Sequence, residues 1–199
     1  MSKEQYHHGA LKKDLILKGL QLLNKEGYEG LSLRKVAVLC GVSHAAPYKH
    51  FKNKDELISV ITQEVADSFA ASLETAVQLY SFDPEKQLIE LGKQYVKFMV
   101  ENPDYLKFLF FSTNNCPVFV KETFSYEANS CFDILKKCAE EYFSSIKLSN
   151  NNIISDTLSM WSLVHGITVL VVNKSIVYEG DYLQLVEKMI IDTIIKKYH

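Results

Sequence analysis

The chain has 199 residues, of which 47% are hydrophobic and 23% charged, with a formal net charge of −2. That is long enough for one well-packed unit or for a small domain joined to a larger one, and it shows no internal repeat or low-complexity segment. The small net charge hides an asymmetry: residues 1–54 carry ten Lys and Arg against four Asp and Glu, and the remainder twelve against twenty. A basic end on an acidic body is the distribution expected when only one end meets phosphate.

Apolar residues recur at helical spacing nearly throughout, and no strand-like alternation of any length is present, so the chain reads as all-α with about nine helices. The first helix, about Leu11 to Lys25, places Leu15, Ile16, Gly19, Leu20 and Leu23 on one stripe and closes toward Gly27. At the N-terminal end, Lys3, Lys12 and Lys13 with His7 and His8 form a basic arm suited to adjacent phosphates, or a disordered tail. From Ser32 to Phe51 the sequence SLRKVAVLCGVSHAAPYKHF reads as two short helices around a glycine turn. Ser32 caps the first, with Leu33, Val36, Ala37 and Cys40 at helical spacing, and Gly41 leaves it with positive φ. Ser43 caps the second, with Tyr48 and Phe51 as its anchors. Pro47 falls at the fourth helical position from that cap, where it removes one intrahelical bond and restricts Ala46.

Asn53 and Glu56 then form a capping box that opens a long helix with no breaker until Ser81, about 40 Å at 1.5 Å per residue. Asp83, Pro84 and Glu85 start the next helix, which Asn102-Pro103 ends, and Pro103 starts a short aromatic one. From Val118 to about Ile146, Phe119, Phe124, Phe132, Leu135, Ala139, Tyr142 and Phe143 fit helical spacing, with a bend near Ser125. The loop Ser149 to Asn152 follows. The last two helices, about Ile153 to Asn173 and Asp181 to Tyr198, are apolar over most of their circumference, which assigns part of them to a subunit interface. Ile153 to Val172 is about as long as a membrane span, but Ser155, Asp156, Thr157, Ser159, Ser162 and His165 interrupt it, so it reads as a buried helix.

With Tyr48-x-His50-Phe51 and Asn53-Lys54-Asp55-Glu56-Leu57 in place, the first 60 residues closely resemble the TetR family of bacterial transcriptional regulators. Ser43-x-Ala45-Ala46-Pro47-Tyr48 with Trp161-x-x-x-His165-Gly166 is similar to the branch whose C-terminal half is called the WHG domain. The resemblance implies a helix-turn-helix DNA-binding domain over residues 1–55 and an effector-binding and dimerisation domain over residues 56–199. It further implies a cytoplasmic homodimer, paired through the last two helices, that binds double-stranded DNA at a palindromic operator and takes a small-molecule effector. By position, Arg34, His44, Ala45, Ala46 and Lys49 match places that read bases or neighbouring sugar-phosphate, and Tyr48, His50 and Lys54 match phosphate contacts. Ser32 can donate to a phosphate while it caps its helix, and Ser43 opens the recognition helix.

Arg34 can engage guanine O6 and N7 with two hydrogen bonds, or serve as a phosphate contact, and packing is the alternative for Tyr48 and His50. In the body, Tyr95, Phe98, Met99, Tyr105, Phe108, Leu109, Phe110, Phe111, Phe132 and Trp161 form the largely aromatic wall of a candidate cavity of about 300 to 1,000 Å³, or a packed core, which is the more frequent role of aromatic residues at helical spacing. Trp161 and His165 share a helix face beside Gly166, which lets a neighbouring helix come close. His165 is a pocket hydrogen-bonder or a satisfied structural histidine.

Cys40, Cys116, Cys131 and Cys138 show no paired spacing and read as reduced thiols. No catalytic triad, phosphate-cradling glycine loop or metal-binding spacing is present, so no catalytic residue, cofactor or metal is expected. The rival readings are a small-molecule enzyme or binding protein that retains the N-terminal domain, and a non-specific DNA binder with steep salt dependence.

Overall fold

The computed structural model describes residues 3–111, 131–148 and 153–198, with the side chains of residues 3–9 and 131 outside that set. Among them are eight α-helices and no strand: α1 (Lys3–Gly30), α2 (Leu33–Leu39), α3 (Lys54–Leu79), α4 (Pro84–Glu101), α5 (Pro103–Phe111), α6 (Cys131–Ser145), α7 (Ile153–Val172) and α8 (Tyr182–Ile190). The helix expected from Val118, with Phe119, Phe124 and the bend near Ser125, falls mostly outside the described residues, as do Cys116 and the loop Ser149 to Asn152.

Three of the expected caps lie where the sequence puts them. Ser32 accepts from the Lys35 amide, Asn53 Oδ1 from the Glu56 amide at 2.9 Å, and Asp83 Oδ1 from the Lys86 amide at 3.0 Å. Glu56 returns its bond one residue earlier than a strict capping box, accepting from the Lys52 amide. α1 begins at Lys3 rather than Leu11, and Gly27, at φ +70°, breaks its helical geometry near the expected end. α8 is capped by Asp181 and continues as a π-helical segment, Ile191–Ile195.

The described chain forms two compact units. The first draws on Met1–Val65 and Asp104–Cys116, the second on Ala66–Pro103 and Pro117–His199. The expected division after residue 55 therefore differs from these units in two ways. Leu57, Ile61 and Val65 of α3 complete the core of the first unit around Leu15, Leu20, Leu23, Leu33, Val36 and Phe51, and Phe108 of α5 is buried in the same core. The Asn24 side chain donates to the Asp104 carbonyl at 2.9 Å and holds the start of α5.

In the second unit α4 packs against α6, α7 and α8. Its buried face is Leu88, Leu91, Gly92, Tyr95, Val96 and Met99, an i, i+3, i+4, i+7 pattern. Gly92 allows the tightest approach: a Cβ there would stand 2.5 Å from Ile190 Cδ1 and 3.3 Å from Val164 Cγ1. The apolar helix α7 is long and apolar enough to cross a membrane, yet Met160, Val164 and Ile167 form a buried face within the unit. A Cβ on Gly166 would meet nothing within 4 Å, so among the described residues no helix makes the close approach expected there.

At the end of the chain, the buried carboxylate of Asp156 accepts from Lys197 Nζ at 2.7 Å and from the Tyr198 hydroxyl. A buried charge with its partners removed is costly, so these C-terminal contacts help to hold the bundle closed.

Two glycines separate packing from backbone strain. Gly92→Ala is expected to lower the unfolding free energy by about 1 to 3 kcal/mol by overpacking. Gly41→Ala, whose Cβ would meet nothing within 4 Å but whose φ is +66°, is expected to cost about 1 kcal/mol through conformation alone. Urea unfolding of the two variants checks both values.

Candidate DNA interface and effector site

The turn after α2 is built by two backbone bonds. The Val42 amide donates to the Ala37 carbonyl at 3.0 Å and the Gly41 amide to the Val38 carbonyl at 3.1 Å, with Gly41 at φ +66°. This is a complete Schellman motif, and it satisfies carbonyls that α2 would otherwise leave open. It leads the chain straight into the segment expected to be the second helix.

That segment is not an α-helix. His44 to Ala46 form a turn, in which the Ala46 amide donates to the Ser43 carbonyl at 2.9 Å, and Pro47–Lys49 form a single 3-10 turn. The reason is local. An α-helix capped at Ser43 would need the residue-47 amide to donate to the Ser43 carbonyl, and proline has none. Ala46 occupies the position before the 3-10 turn with no side-chain cap, so Ser43 does not cap it as expected. Ala46 nevertheless keeps helical angles (φ −61°, ψ −45°) against the usual effect of a following proline. Phe51 is an anchor at 1% exposure, but Tyr48 is 53% exposed and the buried partner is Pro47.

The candidate DNA contacts divide by what already holds them. Arg34, Ser43, His44, Ala45 and Lys49 are exposed, and Arg34 and Lys49 meet no acid among the described residues. Lys35, beside Arg34, is bound instead: its ammonium reaches Glu26 at 2.7 Å and the Gly30 carbonyl at 2.9 Å, tying α2 to the end of α1. That bond holds the Glu26 carboxyl below its usual range. Lys54 lies 3.7 Å from the Tyr28 ring centroid and donates to the Tyr28 carbonyl, while the Tyr28 hydroxyl donates to Asp55 at 2.7 Å. Lys54 thus fixes the start of α3, and only the outer side of its ammonium is left for phosphate. His50 is half-buried and its ring lies 6.2 Å from that of Phe51.

The expected aromatic wall divides between the two units. Tyr105, Phe108 and Phe111 belong to the first, where Phe108 is core and Phe111 is 57% exposed. In the second unit, ring contacts form a chain. Phe98 and Tyr95 each lie 5.2 Å from Phe69, His165 lies 6.3 Å from Tyr95, Trp161 lies 6.4 Å from His165, and Phe132 lies 5.2 Å from Trp161. Met99 is fully buried on α4. The sequence reading missed Phe69, although it falls on the i, i+4 ladder of α3 that runs through Leu57, Ile61 and Val65.

Tyr95 and His165 share a hydrogen bond, the hydroxyl oxygen 2.9 Å from Nδ1. Burial holds the His165 pKa below the ordinary imidazole value, so the ring is kept neutral. Burial also pushes the Cys138 thiol up to about 12, which leaves it an inert core residue, while the Cys131 side chain lies outside the described residues. Among the described residues no group of three His, Cys, Asp or Glu could hold a metal ion.

Two family profiles match the chain. One, described as bacterial regulatory proteins of the tetR family, covers residues 15–61, and the other, a tetracyclin repressor-like C-terminal domain, covers residues 88–193. An uncharacterized HTH-type transcriptional regulator of Haemophilus influenzae is 36% identical over 90 residues, which is 43% of this chain and 46% of that relative. Among solved structures, a Rhodococcus sp. RHA1 protein of unknown function superposes with a TM-score of 0.71 at 23% identity, over 96% of this chain and 97% of that one. The regulator FadR of Bacillus subtilis, solved with stearoyl-CoA, gives 0.67 at 16% identity, over 92% and 98%. At these identities the likeness to solved structures is one of fold.

His165 gives a pH test. Its folded pKa lies below the unfolded one, so the unfolded chain binds more protons and stability is lost as pH falls below the ordinary imidazole value. Between about pH 7.5 and pH 5, wild type is expected to lose more thermal stability than His165→Gln, as melting curves at the two pH values would show.

Proposed function

The chain belongs to the TetR family of bacterial regulatory proteins, and from that premise we propose that it is a transcriptional regulator, a repressor that binds a palindromic operator as a homodimer and leaves it when a small, largely hydrophobic or aromatic effector occupies the body. The observation that carries this reading is the exposed tip of the first unit. Arg34 projects there without an acidic partner, and the Schellman turn at Gly41 presents His44, Ala45 and Ala46 immediately beyond α2.

Their chemistry divides the work. Arg34 supplies a planar pair of donors suited to guanine O6 and N7, His44 one hydrogen bond to a base edge, and Ala45 a methyl group for thymine. Lys49, Tyr48, His50, Ser32 and the outer side of Lys54 supply phosphate contacts that fix register without reading sequence. A dimer engaging two half-sites needs these tips about 34 to 36 Å apart, or a multiple of that distance. Apolar residues left partly exposed on α7 and α8, among them Leu158, Leu163, Leu183 and Met189, support pairing through the last two helices. The acidic remainder of the chain opposes adhesion to arbitrary DNA, and the family membership supports the reading of a cytoplasmic regulator and not an enzyme.

In the body, the chain of rings from Phe98 to Phe132 is the effector wall, with His165 and Tyr95 as its polar members. An effector must bind the DNA-incompetent arrangement more tightly, since equal affinity for both arrangements shifts nothing. Acyl-coenzyme A thioesters, the class that the Bacillus subtilis FadR structure carries, are the first ligands to test.

Selection of bound sequences from a random duplex pool at near-physiological salt tests the reading. Wild type is expected to enrich a palindrome, and Arg34→Ala to relax one position in each half-site at a cost of about 1 to 3 kcal/mol. No enrichment by folded, dimeric wild-type protein would overturn it.

A further inference from the structure

Pro47 is buried in the first unit, while Ser43, His44, Ala45, Tyr48 and Lys49 around it are exposed. It lies behind the surface proposed to meet DNA. Alanine is the strongest helix former and serine a good N-cap, so the stretch from Ser43 through Ala45 and Ala46 favours an α-helix. The segment is not α-helical all the same, and the obstacle is Pro47. It has no amide for the Ser43 carbonyl, and in an α-helix its ring would crowd that oxygen.

What replaces the helix is a run of bonds between residues three apart. The Ala46 amide donates to the Ser43 carbonyl at 2.9 Å, the Lys49 amide to the Ala46 carbonyl at 3.2 Å and the His50 amide to the Pro47 carbonyl at 2.9 Å. The α-helical spacing returns at the exit, where the Phe51 amide also donates to the Pro47 carbonyl at 2.9 Å. Side chains three apart eclipse in this geometry and are about 6 Å apart along the axis; in an α-helix they are offset by about 60° and about 4.5 Å apart. The burial follows the threefold spacing. Pro47 and the half-buried His50 face inward, Ala45 and Tyr48 form one outward column, and Ser43, Ala46 and Lys49 form another.

We propose that Pro47 is a positioning residue for operator reading: its missing amide holds the segment in this three-residue spacing and so decides which base pairs Ala45 and Ala46 reach. The inference rests on the operator reading. Each outward column sets one methyl group beside one phosphate contact, Ala45 with Tyr48 and Ala46 with Lys49, and phosphate contacts fix the register of the whole segment on the duplex. Against an α-helix started at Ser43, each methyl stands about 1.5 Å further from its phosphate contact and about 60° round, and that displacement is close to half the 3.4 Å step between base pairs. A long side chain could bend to make up such a shift. A methyl group has no reach, so the path of the backbone sets its contact with a thymine methyl. Arg34 on α2 and Lys54 against Tyr28 are held outside the segment and keep their places when Pro47 is changed.

Selection from a random duplex pool with wild type, Pro47→Leu and Pro47→Ala tests the inference. Both variants regain the amide, but only leucine keeps apolar bulk in the buried position, so a result the two share belongs to the amide and not to packing. Both are expected to select the same altered half-site and to bind the wild-type half-site at least about fivefold less tightly than their own. Binding to random duplex at low salt is expected to match wild type, because the phosphate contacts remain. A destabilised protein with no change in geometry would enrich the wild-type sequence less strongly and would not exchange its preferred bases. The wild-type palindrome returned by a folded variant, different half-sites from the two, or loss of low-salt binding would overturn this inference alone. Absence of any palindrome with wild type would overturn the operator reading and this inference with it. If one variant fails to fold by circular dichroism, the other carries the test.

Discussion

One apolar ladder on α3 supports both cores. Leu57, Ile61, Val65, Phe69, Leu73 and Ala76 recur at i, i+4 and i+3 along a single helix, and all six are at most 8% exposed. The first three belong to the unit that carries the helix-turn-helix, and the next three to the unit that carries α4, α6, α7 and α8. A stripe of this kind keeps one face only while the helix stays regular, because a break would rotate everything beyond it off the buried side. The caps that start α3 and α4 follow from that need. Asn53 and Glu56 define its first turn, and beyond its last turn Asp83 restarts the chain as α4, whose Gln87 returns a bond to the Val77 carbonyl.

What the sequence made legible was mostly chemistry that acts within a few residues. Ser32, Asn53 and Asp83 cap their helices because each oxygen meets an amide three positions on, and Gly41 takes positive φ because α2 can close only with a residue that tolerates it. Pro47 belonged to the same local class, and its missing amide did decide the outcome. The expectation of a second α-helix gave more weight to apolar spacing than to one absent donor. Tyr48 shows the same error, since spacing marked it as an anchor and the 3-10 turn puts Pro47 inward instead.

Destinations were less legible than elements. The run from Tyr105 to Phe111 is apolar enough to be buried, but periodicity states only that a face is covered and never by what. Phe108 packs with Leu15 and Phe51, far away in sequence, because α5 returns to the first unit after α4 has left it. The buried polar oxygens of the body, Gln87 Oε1, the Tyr142 hydroxyl and Thr157 Oγ1, were invisible for a related reason: they lie 15 to 70 positions apart and have no shared spacing.

The same connectivity limits how an effector can act. The described chain passes between its units at residues 65/66 and 103/104, within α3 and at the start of α5. Moving a two-state equilibrium from 99:1 to 1:99 takes about 5.5 kcal/mol of differential affinity. Withdrawing α5 would expose Phe108, at about 1.5 to 3 kcal/mol for a buried aromatic side chain, before counting Leu106 and the Asn24 bond to Asp104. Nearly all of the effector's differential affinity would go into that withdrawal. A switch that keeps α5 seated spares that cost.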